Sequence, residues 1–112
     1  MAKLKSATLK FPASGSPDVQ GYRMYVEPEG IPVTYDSSAF DLGKNEVMEG
    51  EVTYIVTDLS GIPGLTTKDG IYNIGVVAVD DAGNESSMST LDSVPLDFMA
   101  PDPPGPLSFI SA

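Results

Sequence analysis

The stretch Gly70-Ile71-Tyr72-Asn73-Ile74-Gly75-Val76-Val77-Ala78-Val79-Asp80 decides the fold. Its apolar residues are mostly β-branched or aromatic, and Asp81-Ala82-Gly83-Asn84 closes it with turn-forming chemistry. In an extended chain successive side chains alternate, so Tyr72, Ile74, Val76 and Ala78 share one face. The pattern predicts a strand over Ile71–Val79.

Outward from that strand the same grammar repeats. Lys5–Phe11 places Ala7, Leu9 and Phe11 on one face and Ser6, Thr8 and Lys10 on the other. Gly21–Val26 alternates Tyr22, Met24 and Val26 against Arg23 and Tyr25. Glu51–Thr57 is a third run of β-branched and aromatic residues, and Met88–Phe98 is a last strand or a broken pair, interrupted at Pro95. A short strand is expected at Ile31–Tyr35, and a loop over Asp36–Gly50. Nothing in the chain has the period of a long amphipathic helix.

Composition agrees. The chain has 112 residues, enough for one domain. It is 41% hydrophobic and 20% charged, so it is expected to fold around a core. Its 11 glycines and 10 prolines suit short strands joined by tight turns. With neither Cys nor His, disulfides, thiolate metal sites and the commonest general base are excluded. A net charge of −10 disfavours nucleic acid and anionic membrane as partners. No apolar run suggests membrane insertion, and no signal peptide is evident, so the compartment stays open between the cytoplasm and a virion or surface assembly reached by an unseen route.

Two motifs carry a likeness. Gly21-Tyr22-Arg23-Met24-Tyr25-Val26 resembles the third strand of fibronectin type III domains, and Gly70–Ser86 resembles their sixth strand and following turn, particularly in bacterial members. Leu65 and Tyr72 resemble the pair that forms the tyrosine corner of such sandwiches. The likeness spans most of Ala7–Phe98, with Phe11 where the family carries a core tryptophan. It implies an all-β, immunoglobulin-like sandwich of about seven strands. Family members are mostly spacers, adhesive modules and partner-binding domains rather than enzymes.

The family's first strand follows a proline-rich lead. Met1-Ala2-Lys3-Leu4-Lys5 has none, whereas Pro101-Asp102-Pro103-Pro104-Gly105-Pro106-Leu107-Ser108-Phe109-Ile110 has both the lead and the strand. Residues 1–99 are therefore expected to form a sandwich lacking its own first strand, and residues 100–112 a linker and candidate donor strand. The donor residues are Pro104, Pro106, Leu107, Phe109 and Ile110; the acceptor edge is Lys3, Leu4, Lys5, Ala7, Leu9 and Phe11. An eight-residue strand spans roughly 26 Å. The linker 100–106 reaches roughly 22 Å as polyproline II, and its stiffness disfavours reversal. A neighbouring copy is thus the easier acceptor, with the chain itself as partner in a ring or filament. Two other readings stand beside this one: a loose tail, and an edge kept unpaired by Lys3, Lys5 and Lys10.

Two further constellations remain. Tyr25, Val77 and Val79 are expected to point away from the core; they make either a face for another protein of a larger assembly, or ordinary packing beneath Ile31–Tyr35. Asp80, Asp81, Asn84 and Glu85 offer oxygen donors of the kind calcium takes, but their spacing fits no EF-hand loop and the same residues are good turn chemistry. Neither a metal nor an organic cofactor is expected. The 16 carboxylates are scattered through turns without an apolar pocket to raise one pKa, so no catalytic residue is assigned.

Overall fold

The computed structural model describes residues 7–62, 70–96 and 103–110. The strands among them are β1 (Thr8–Pro12), β2 (Val19–Pro28), β3 (Ser38–Gly43), β4 (Glu46–Glu49), β5 (Val52–Asp58), β6 (Gly70–Asp80) and β7 (Ser89–Leu96), with a 3-10 turn at Leu59–Gly61. They form two antiparallel sheets, ordered β1-β5-β4 and β3-β2-β6-β7. The chain is an all-β sandwich.

Alternation builds the core. Tyr22, Met24 and Val26 of β2 and Ile74 of β6 face Ile55 of β5, and Leu42, Leu59 and Leu96 close the ends. Met24, Ile55 and Ile74 are fully enclosed, each worth about 1.5–3 kcal/mol of apolar burial. Leu9 and Phe11 of β1 pack against this core from the edge. The Phe11 ring meets Tyr22 edge-on, with centroids 5.2 Å apart. Leu65 lies outside the described residues, so the tyrosine corner reduces to Tyr72, which is half-buried against the core.

Three expectations change. Ile31–Tyr35 is not a strand: it crosses the outer face of the larger sheet, and its second residue, Pro32, has no N–H to give a ladder. Asp36–Gly50 is not a loop but holds β3 and β4. Phe40 and Leu42 turn β3 toward the core, whereas β4 is exposed at every residue and forms through its ladder with β5. Its hairpin closes at Gly50-Glu51, where Gly50 takes a positive φ of 65° that a side chain would resist.

The third change concerns β7. The strand continues through Pro95, tolerable because β7 is an edge strand. The irregularity lies earlier, where the register steps from Tyr72–Val94 to Ile74–Leu91 and leaves Asp92 and Ser93 opposite Asn73. Ser93 adopts a φ of 58°, and its N–H donates to Asn73 Oδ1 at 3.1 Å. This is a β-bulge held by one asparagine.

Candidate strand-acceptor site

An antiparallel sheet edge presents alternate backbone groups, and β1 is such an edge. Leu59 N–H donates to the Ala7 carbonyl at 2.7 Å, and Ala13 N–H to the Thr53 carbonyl at 2.8 Å. With the intervening register, this assigns the backbone groups of Leu9 and Phe11 to β5. Those of Thr8, Lys10 and Pro12 turn the other way. Among the described residues no strand meets them there.

Beneath this edge a groove of about 450 Å³ opens between the two sheets. Leu9, Phe11, Tyr22, Ile74, Val76 and Leu91 supply its apolar walls. Leu91 shows what is uncovered. It stands directly opposite Ile74 in the β6–β7 ladder, and direct partners in an antiparallel pair share a face. Both therefore look toward the core side, yet Ile74 is 2% exposed and Leu91 56%. Among the described residues the smaller sheet ends at β1 and no strand extends it over β7.

Residues 103–110 pair with no described strand. Leu107, Phe109 and Ile110 are 93%, 94% and 89% exposed, and Pro104 and Pro106 are exposed too. Among the described residues, one chain thus carries an uncovered apolar groove and an uncovered apolar segment that do not meet each other. Comparison with protein-family models, curated proteins and solved structures gives no match.

The site stands, therefore, on its own geometry. Of the expected acceptor residues, Ala7, Leu9 and Phe11 turn inward along β1, while Lys3, Leu4 and Lys5 lie outside the described residues. Lys10 does not block the edge. Its ammonium reaches across β5 to Glu49 of β4 at 2.6 Å, 4.4 Å above the Tyr54 ring and away from the opening. The residues expected as donor and acceptor do not include Leu91, Tyr22, Ile74 and Val76. The first is one apolar residue in a serine-rich run, and only the ladder with Ile74 reveals its face.

The candidate partner face of Tyr25, Val77 and Val79 is corrected. Tyr25 and Val77 are buried and Val79 half-buried. The segment 31–37 lies over them: the Tyr35 ring meets Tyr25 at 5.9 Å, and Tyr35 Oη donates to the Ser86 carbonyl. Asn73 Nδ2 holds the Ile31 carbonyl at 3.0 Å. On this outer face Tyr25, Val77 and Val79 are covered from within the domain, so these three form no docking patch.

The acidic turn after β6 is built as a turn. Asp80 Oδ1 accepts the N–H groups of Ala82 and Asn84 at 2.9 and 2.8 Å, and Asp80 Oδ2 accepts Asn84 Nδ2. The Asn84 amide and the backbone amides hold the Asp80 carboxyl below its ordinary range. Gly83 supplies the positive φ of 86°. Glu85 points elsewhere, taking Arg23 Nη1 and Tyr25 Oη on one oxygen. Asp18, rather than Asn84 or Glu85, stands beside Asp80 and Asp81, with carboxylate oxygens within 4.8 Å.

Proposed function

We propose that the chain is a non-enzymatic structural subunit that associates head to tail by β-strand addition, the segment 104–110 of one copy completing the open side of the next. The contrast between Ile74 and Leu91 carries this reading: a core-side leucine stands bare at a groove while Leu107 and Phe109 stand bare on the tail. Backbone bonds to Thr8 and Lys10 would supply affinity, and the inserted Leu107 and Phe109 the fit. Burying those two side chains contributes roughly 3–6 kcal/mol before ordering costs.

The finer fold reading supports the same conclusion. We read the sheet orders β1-β5-β4 and β3-β2-β6-β7 of the described residues as an immunoglobulin-like arrangement whose first strand would come from a neighbouring copy. The fibronectin type III likeness of Gly21–Val26 and Gly70–Ser86 falls on β2 and β6, the central strands of the larger sheet.

Light scattering over a concentration series tests the reading. The full chain is expected to gain mass with concentration, as a ring or a filament, while a chain lacking residues 101–112 stays monomeric. Equal assembly of the two would overturn strand donation.

A further inference from the structure

Resting on the strand addition proposed above, we infer its register: residues 106–110 of a second copy lie antiparallel along β1, with Pro106 opposite Pro12, Leu107 opposite Phe11, Ser108 opposite Lys10, Phe109 opposite Leu9 and Ile110 opposite Thr8.

The prolines and the groove walls set it together. The open edge offers an N–H and a carbonyl at Thr8, the same at Lys10, and only a carbonyl at Pro12, whose ring removes the donor. Thr8, Lys10 and Pro12 are exposed and turn their side chains from the core. In an antiparallel ladder the residues directly opposite them also face outward. If Leu107 and Phe109 enter the groove, those residues are Pro106, Ser108 and Ile110. Pro106 likewise has no N–H. Pairing it with Pro12 places both missing donors at one position, leaves the Pro12 and Pro106 carbonyls to solvent at the end of the ladder, and lets Ser108–Lys10 and Ile110–Thr8 each exchange two hydrogen bonds. Pairing Pro106 with Lys10 would strand the Lys10 carbonyl and also set Pro104 against Pro12, so the prolines exclude it; pairing Ser108 with Pro12 strands only the Ser108 carbonyl, and packing decides against it.

Packing decides between the registers that the ladder leaves. In this register Leu107 stands beside Phe11 and Phe109 beside Leu9, both of them groove walls, at the closer spacing of non-hydrogen-bonded pairs. Moving the tail two residues one way puts Leu107 beside Ala13; moving it the other way puts Phe109 beside Ala7. Neither alanine lines the groove. A slip of one residue turns Leu107 and Phe109 out to solvent. The antiparallel sense matches every strand pair among the described residues.

The chain has no cysteine, so engineered pairs report cleanly. A Lys10→Cys chain is mixed with a Ser108→Cys chain under mild oxidation, and disulfide-linked heterodimer is read by mass. Both positions are exposed. Direct partners lie about 5.5 Å apart at Cα, inside the disulfide range, whereas two-residue offsets lie at about 7–8 Å, outside it. Heterodimer is expected to form about tenfold faster than in the offset mixtures Lys10→Cys with Ile110→Cys and Thr8→Cys with Ser108→Cys. Faster linkage in either offset mixture overturns the register and leaves strand addition standing. No preferred linkage in any mixture, with a full chain that stays monomeric, overturns both.

Discussion

Met88 occupies the space where a side chain at residue 75 would stand: a Cβ on Gly75 would come within 2.2 Å of Met88 Sδ and 2.6 Å of its Cγ. Val33 Cγ1 would lie at 3.3 Å. Gly75 is thus what lets the 31–37 segment and the chain after β6 close over the larger sheet. Gly75→Ala is expected to cost about 1–3 kcal/mol in urea unfolding, because Met88 must leave its seat. Adding Met88→Ala should restore part of the loss, a coupling that a double-mutant cycle reads directly. Simple additivity would show that the two sites do not compete for space.

The β7 bulge depends on Asn73. Its Oδ1 accepts from Ser93 N–H and its Nδ2 donates to the Ile31 carbonyl, so one amide joins the bulge to the covering segment. Asn73→Ala is expected to destabilise the domain by about 1–2 kcal/mol, the worth of two modest hydrogen bonds. Ser93→Gly, by contrast, relieves a non-glycine φ of 58° and should leave stability unchanged or slightly raised. Denaturant midpoints of the two variants check both signs.

Leu91 separates assembly from folding. Being more than half exposed, it can become Asp at a cost to the monomer of about 0.5 kcal/mol or less. The same charge at the groove wall should abolish concentration-dependent association. A Leu91→Asp chain that associates like the parent would place the contact elsewhere.

Alkali should loosen the outer face of the larger sheet. The hydrogen bond that Tyr25 Oη donates to Glu85 raises the phenol above its ordinary 10.0, and burial adds to the effect. A raised folded-state value gives stability that is present below pH 10.0 and lost as pH climbs through the raised value. The parent is therefore expected to lose stability relative to Tyr25→Phe above that pH. Unfolding midpoints of the pair across the alkaline range supply the measurement; parallel curves would show that this bond carries no such linkage.

The legible parts of the fold were those whose burial leaves a periodic trace. β6 and β2 read clearly because Ile74, Met24 and their neighbours alternate across two covered faces. β5 reads from its β-branched run. β4 has no trace to read: Glu46-Val47-Met48-Glu49 is exposed throughout, and its identity comes from a partner strand and a glycine turn. Ile31, Val33 and Tyr35 mislead in the opposite sense, since they alternate like a strand but serve as a cover. At the site, the tail and the inner face of β1 were visible as apolar alternation. The groove was not, because it depends on how far one sheet overlaps the other, which no local pattern encodes.

The open edge and the exposed tail also fix a polarity. A row of chains joined this way has two unlike ends, one with an empty groove and one with an unseated tail. A chain shortened before residue 104 could enter such a row only by accepting a tail, after which it offers none, so even a small admixture would arrest growth at that end alone. The Leu91→Asp chain would arrest the other. Mixed with the parent at substoichiometric dose, the two would act as terminators of opposite direction.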